Sequence, residues 1–142
     1  MGELMISSTK YTDLIAQFSS YIASPPLLNV SLDPVTGETK VQLNIEFISH
    51  PTLGITKFRI REKYDANDVL VQYRYCWETN RKPTGNISAW ENEHGHGLAT
   101  DPHHHHYVLY DRKPVQDNHV IRSLEKAFEF VMDYLTNGKR YP

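Results

Sequence analysis

The chain has 142 residues, of which 39% are hydrophobic and 23% are charged, and its formal net charge is −2. This composition predicts one globular domain over 1–142, and it excludes a global attraction to nucleic acid, which only a local patch could supply. No apolar run is long enough for a membrane helix, and the start lacks a secretory signal pattern. The single cysteine, Cys76, cannot form an intrachain disulfide, so we expect a cytoplasmic protein.

Two segments with helical spacing frame the chain. Apolar residues recur every three to four positions over 9–23, and Pro25 is predicted to stop this first helix. A second apolar stripe predicts a helix over 118–136, with Asp117 or Asn118 as its cap. Both helices need an apolar surface on which to pack.

Between the helices, alternating apolar and polar residues predict an antiparallel meander of about five to six strands over 27–110. Short turns between the alternating segments are typical of hairpins. Pairing Ile45 with Phe58, and Phe58 with Tyr75, places the apolar side chains of three strands on one face. We expect the helices on that face, which gives a two-layer α+β fold. The last strand is predicted over 107–110, with its start inside the run of four histidines.

The opposite face of the predicted sheet is basic. Its cationic side chains belong to Lys57, Arg59, Arg61, Lys63 and Arg74. The predicted register places Arg59 beside Arg74, and facing like charges are costly without an anion between them. Such a face is either a solvated polar surface, with Glu46 pairing Lys57, or a surface that contacts phosphate groups.

Six of the eight histidines lie in one short segment, within a loop predicted over 91–106. They are His94, His96, His103, His104, His105 and His106. If the run of four is extended, His104 and His106 share one face of it, and the other two share the opposite face. Because imidazole titrates near neutrality, a pair of such rings suits proton transfer.

Three functions suit this segment and the basic face. In a ribonuclease without a metal, His104 and His106 would be the acid/base pair, with His103 or His94 as substitutes. Phosphate contacts would come from a set of four cations, Lys57, Arg59, Arg61 and Arg74. A carboxylate, Glu91 or Asp101, would support this site.

The second function is metal binding or metal-dependent hydrolysis, with zinc or another transition metal. Its ligands would be His94, His96, His104 and His106. The third is a non-catalytic module whose basic face binds nucleic acid or an acidic protein. Replacing the histidines would then leave binding intact, whereas replacing Arg59 or Arg74 would not.

The histidine segment resembles the TumE-type toxins of bacterial and archaeal toxin–antitoxin operons. The resemblance is carried by Trp90-Glu91-Asn92 to His94 and by Asp101-Pro102-His103-His104-His105-His106. In that pattern an aromatic, an acidic residue and Asn precede histidine, and Pro-His-His-x-His precedes a C-terminal helix. Glu91 stands where the family more often has Asp, and Gly95 separates histidines that the family pairs.

The resemblance implies a small cytoplasmic toxin that a DNA-binding antitoxin neutralises. It adds Asn92 to the supporting residues of the site, beside Glu91 and Asp101. RNA is then the expected substrate, no cofactor is required by the acid/base chemistry, no membrane is involved, and a homodimer is compatible with the sequence.

Overall fold

The computed structural model describes residues 9–137, which form a helix, a seven-stranded sheet and a second helix. The helices are α1 (Thr9–Gln17) and α2 (Leu124–Asn137), and a 3-10 turn lies at Ser19–Tyr21. The strands are β1 (Leu27–Leu32), β2 (Thr39–Glu46), β3 (Thr56–Tyr64), β4 (Leu70–Thr79), β5 (Asn86–Glu91), β6 (His104–His106) and β7 (Gln116–Asp117). The strands pair antiparallel in chain order, so the predicted α+β meander is confirmed, with seven strands instead of five to six. No helix within 9–137 is long and apolar enough to span a membrane.

One face of the sheet carries the core. Phe58 and Trp77 are fully buried on it, and Phe128 of α2 packs 5.9 Å from the Phe58 ring between centroids. Phe18, just after α1, stacks on the Phe128 ring with centroids 5.3 Å apart. Both helices therefore contribute to the apolar face, which leaves the opposite face of the central strands to polar side chains.

The register between strands was predicted correctly for one hairpin and wrongly for the next. Ile45 lies opposite Phe58, as predicted. Phe58 lies opposite Trp77 instead of Tyr75, because the turn that begins at Asp65 is longer and the ladder is irregular at the end of β3. A shift of two residues keeps the side chains of 72–77 on their predicted faces, so those faces were right although the pairs were wrong.

Glu62 points from β3 into the core, where a carboxylate needs hydrogen-bond donors. The hydroxyl groups of Tyr11 and Tyr75 both donate to it, the latter at 2.6 Å, and Lys10 Nζ lies 3.9 Å away. Buried and exposed side chains thus alternate along β3 even at Glu62, its one acidic core-facing residue. The hydrogen bond from Tyr11 to the Glu62 carboxylate also connects α1 to the sheet.

The first helix is shorter than the predicted 9–23. It ends at Gln17, and the chain then makes the 3-10 turn at Ser19–Tyr21. Ile22 leaves helical geometry because it pairs with Phe47 in an antiparallel bridge. Sheet pairing therefore overrides the helical spacing of the last predicted turn.

The second helix begins at Leu124 instead of 118. The Asn118 side chain accepts a hydrogen bond from the Ile121 N–H at 3.0 Å and donates to the Ile121 carbonyl at 2.7 Å. These bonds hold the connector in a turn, so Asn118 does not cap α2. Val120, which was predicted to lie in the apolar stripe, is 67% exposed.

Ser123 is the residue that caps α2, since its Oγ accepts a hydrogen bond from the Lys126 N–H at 3.3 Å. Ser123→Ala leaves that donor without its partner and should lower the free energy of unfolding by about 0.5–2 kcal/mol. Ser123→Asp, the matched control, retains an acceptor and should be close to wild type. Urea denaturation measures both, and equal stability of Ser123→Ala and wild type would contradict the assignment.

The last strand starts within the histidine run, as predicted, but its predicted continuation over 107–110 is wrong. The chain makes a tight turn there, closed by a bridge between Val108 and Asp111, with Tyr110 at a φ of 63°. Asn86 Nδ2 donates to the Val108 carbonyl at 3.0 Å and holds this turn against β5. Three residues of the histidine run form the strand β6 (His104–His106), so their side chains are fixed by sheet pairing and not by a loop.

Candidate functional site

The strand registers place some of the predicted basic and histidine residues on one face of the sheet. Directly opposite residues in antiparallel strands project from the same face. Arg61 lies opposite Arg74, and Arg74 lies opposite Glu91. Glu91 in turn lies opposite His104, and His106 is on the same face because it is two residues further along β6. The meander thereby brings arginines of β3 and β4 to the histidines of β6.

The Glu91 carboxylate is the centre of a group of side chains in which it and two histidines are buried. Its Oε1 lies 3.0 Å from His104 Nε2 and 3.2 Å from His106 Nε2. Its Oε2 lies 3.0 Å from Arg74 Nε and 3.8 Å from Arg112 Nη2. We name these five residues the Glu91 cluster.

The negative charge of the Glu91 cluster lies on the carboxylate of Glu91, a residue that is only 5% exposed. Burial alone would raise the pKa of Glu91, but hydrogen bonds with His106 and His104 and the charge of Arg74 lower it to about 2. Arg74 Nε and Glu91 Oε2 form an ion pair without hydrogen-bond alignment, since neither atom has a hydrogen-bond partner within 9–137. The Glu91 carboxylate is therefore ionised at neutral pH and attracts the cationic groups around it.

Each imidazole of the Glu91 cluster is also held through its other ring nitrogen. His104 Nδ1 lies 2.9 Å from the Pro102 carbonyl oxygen, and His106 Nδ1 lies 2.7 Å from that of Arg112. A carbonyl oxygen only accepts hydrogen bonds, so both Nδ1 atoms carry a proton and donate it. This fixes both rings with Nε2 directed at Glu91.

His96 covers the Glu91 cluster. Its ring centroid lies 4.2 Å from that of His104 and 6.4 Å from that of His106. The Asp101 carboxylate accepts hydrogen bonds from the N–H groups of His96 at 3.0 Å and Gly97 at 2.8 Å, which bends the loop back over β6. Burial and the neighbouring His104 and His106 lower the pKa of His96. Asp101, a predicted supporting residue, thus positions His96.

His105 points to the opposite face of the sheet, as the predicted alternation requires. Its ring stacks on Trp90 with centroids 5.1 Å apart, and its Nε2 is hydrogen-bonded to Ser88 Oγ. Burial, and to a lesser degree His106, lower the pKa of His105 to about 4. His105 is accordingly a neutral packing residue under α2.

The two substitutes predicted for the acid/base pair lie apart from the Glu91 cluster. His103 Nδ1 is 2.9 Å from the Tyr73 hydroxyl, and the two rings stack at 5.7 Å on the core side. Burial and the nearby Arg122 lower the pKa of His103. His94 is exposed, and the imidazoles that meet edge to face at the site are those of His96, His104 and His106.

The predicted contact between Arg59 and Arg74 is absent, because the register differs by two residues. Arg59 lies opposite Cys76, and its Nε pairs with Glu78 Oε1 at 2.9 Å. Arg61 is the cation that lies opposite Arg74, and it is exposed. Of the predicted phosphate ligands outside the Glu91 cluster, Arg61 is therefore the one that lies directly opposite a member of the cluster.

Two other predicted residues have defined positions beside the cluster. Asn92 Oδ1 accepts from the Tyr73 N–H at 2.9 Å, and Asn92 Nδ2 donates to the Val71 carbonyl at 3.2 Å. Asn92 thereby ties the end of β5 to β4 next to Glu91. Lys57 lies at the far end of the polar face, opposite Glu78.

Arg112 was missed by the sequence reasoning. It comes from the connector before β7, where its guanidinium approaches Glu91 Oε2 and donates from Nη1 to Cys76 Sγ at 3.7 Å. Its carbonyl oxygen anchors His106. No pattern in 111–116 marks this arginine, since the turn at Val108–Asp111 decides where it lies.

The Glu91 cluster also contains a set of metal-ligand atoms. One oxygen of Glu91 and one nitrogen each of His104 and His106 lie within 4.8 Å of one another. This set shares two residues with the metal site predicted from the sequence, and Glu91 stands in place of His94 and His96.

The comparisons with known proteins give one family. A family model described as Toxin TumE matches residues 13–137, which is most of the chain and includes every strand and helix α2. No curated protein and no solved structure gives a significant match.

Proposed function

The chain belongs to the TumE toxin family, and from this premise we propose that its toxic activity is the cleavage of RNA at the Glu91 cluster. Membership of a toxin family implies a cognate antitoxin that neutralises the chain. The observation that carries the proposal is that two imidazoles and two guanidinium groups meet on the basic face of the sheet, around Glu91.

The reaction is a transesterification followed by release of the leaving strand. The ribose 2′-oxygen attacks phosphorus, and the bond from phosphorus to the 5′-oxygen breaks. One imidazole takes the 2′-hydroxyl proton and the other gives a proton to the leaving 5′-oxygen, in both cases through Nε2, because each Nδ1–H is held by a carbonyl. Arg74 and Arg112 stabilise the charge on the remaining phosphate oxygens. His96 covers these rings, so its loop has to move aside for the phosphodiester to enter.

The products and the effect of chelation test the proposal. Purified chain should cleave single-stranded RNA to 2′,3′-cyclic phosphate and 5′-hydroxyl ends, and a 2′-deoxy nucleotide at the cleaved position should abolish the cut. Cleavage that persists in excess chelator supports imidazole chemistry. Activity lost on chelation assigns the reaction to a metal, and intact RNA under all conditions rejects the proposal.

Arg61 is the best candidate for a second phosphate contact. It is exposed and lies opposite Arg74, and it has no ion pair with any of residues 9–137, whereas Arg59 is paired with Glu78. Arg61 lies on β3 and Glu91 on β5, and β4 is the strand between them. A phosphate bound by the Glu91 cluster therefore has the unpaired cation of Arg61 near it.

Arg61→Ala should weaken RNA binding and lower the slope of log affinity against log salt by about 0.7, the share of one phosphate contact to a single strand. Fluorescence anisotropy with labelled RNA measures this, in a His106→Ala background in which cleavage is slow. Lys126→Ala is the matched control, since Lys126 is an exposed cation on α2, which packs on the other face of the sheet. Equal slopes for both variants would remove Arg61 from the RNA surface.

A further inference from the structure

We infer that Glu91, His104 and His106 form a binding site for one divalent transition-metal ion, such as Zn²⁺ or Co²⁺. The site itself is independent of RNA cleavage, because its ligands are defined by geometry. Its effect on activity rests on the proposed function.

The positions of protons in the Glu91 cluster carry this inference. Both Nδ1 atoms donate to main-chain carbonyls, so the Nε2 atom of each neutral ring presents a lone pair. These lone pairs face Glu91 Oε1, a carboxylate oxygen, at 3.0 Å and 3.2 Å. Electron-rich atoms at this separation repel unless a positive charge lies among them. A metal ion bound by Glu91 Oε1 and both Nε2 atoms supplies that charge.

The spacing of Glu91 Oε1 from the two ring nitrogens fits a coordination sphere, and all three donor atoms lie within 4.8 Å of one another. Zinc bonds to imidazole nitrogen and carboxylate oxygen are about 2.0–2.2 Å long, so neighbouring ligand atoms around one ion lie about 3–3.5 Å apart. Glu91 Oε1 meets this condition with both rings. Two histidines and one carboxylate that leave further positions open are a recurrent ligand set for transition metals.

The surroundings of the three ligands are those of a prepared metal site. Histidines that bind metals usually donate their other ring N–H to a carbonyl or carboxylate, as both rings do here. The ligands lie on the paired strands β5 and β6, so they are held rigidly, and His104 is 0% exposed. Arg74 and Arg112 contact Oε2 and leave Oε1 to the ion. Because these guanidinium groups repel a dication, we expect weaker binding than at a structural zinc site.

Titration of the metal-free chain, prepared without an affinity tag, tests the inference with Co²⁺ and Zn²⁺. Calorimetry should give one ion per chain, and Co²⁺ should produce visible d–d absorption. His104→Ala, His106→Ala and Glu91→Gln should lose the ion, whereas the matched control His94→Ala should retain it. The ¹⁵N shifts of both Nε2 atoms in the wild-type chain should move on Zn²⁺ addition, which needs no variant to fold. Unchanged shifts, or binding that depends on His94 and not on His104, would overturn the site.

The metal ion would occupy the same two Nε2 atoms that take and give protons during RNA cleavage, so metal binding and proton transfer compete. On the proposed function, saturating Zn²⁺ should therefore slow RNA cleavage by about 10²-fold or more, the usual contribution of an acid/base pair. Stimulated cleavage would reject the metal-free mechanism and keep the site. Normal metal binding without cleavage would reject the proposed function alone, and cleavage without metal binding would reject this inference alone.

Discussion

His106→Ala and His104→Ala are each expected to lower the rate of RNA cleavage about 10²–10⁴-fold, because each removes one partner in proton transfer. The two rings share one carboxylate oxygen and act as a unit. The double variant should therefore be only slightly slower than either single variant, since groups that act together give non-additive losses. Rates are measured with a fluorescent RNA under single-turnover conditions.

Lost chemistry must be separated from lost folding, because both rings are buried. His106→Asn serves this purpose, since its amide N–H can replace the Nδ1–H bond to the Arg112 carbonyl while Nε2 is removed. It should be as inactive as His106→Ala but more stable. His94→Ala, an exposed histidine outside the cluster, should retain wild-type rates. Full activity in both His104→Ala and His106→Ala would end the assignment.

The period of two in the strands was enough to predict which side chains share a face. It placed Phe58 in the core and Arg61 on the polar face, and both positions are confirmed. It could not fix the pairing of β3 with β4, because registers that differ by two residues leave the same faces buried. The turn at Asp65 decides between them, through hydrogen bonds from the N–H groups of Asn67 and Val69 to its carboxylate.

The candidate site was predictable where it depended on one strand and unpredictable where it depended on pairing between strands. Alternation within the histidine run predicted that His104 and His106 would converge. Their meeting with Glu91 requires β5 to pair with β6 across a long connector, whose length does not specify a register. Arg112 reaches the same carboxylate from the connector after the turn at Val108–Asp111, and that turn lies where a strand was predicted. The strand propensity of 107–110 was overridden by the hydrogen bond from Asn86 Nδ2 to the Val108 carbonyl.

Glu91→Ala is expected to lower the free energy of unfolding by about 3–5 kcal/mol, the usual cost of removing one partner of a buried ion pair. Glu91 is 5% exposed, and its loss leaves Arg74 and Arg112 without their shared counterion and both imidazoles without their common acceptor. Urea denaturation with an unchanged m-value measures the difference.

Glu78→Ala is the matched control for this prediction, because it also removes a carboxylate from an arginine on the same sheet face. The Arg59–Glu78 pair is 2.9 Å long, but both side chains are partly exposed, so its loss should cost about 0–1 kcal/mol. If uncompensated charge is the cause, Glu91→Ala combined with Arg74→Met should be more stable than Glu91→Ala alone. A stability loss for Glu91→Ala no larger than that of Glu78→Ala would show that the cluster is not held by its carboxylate. The convergence of both imidazoles on Glu91, on which the cleavage and metal proposals depend, would then have no energetic basis.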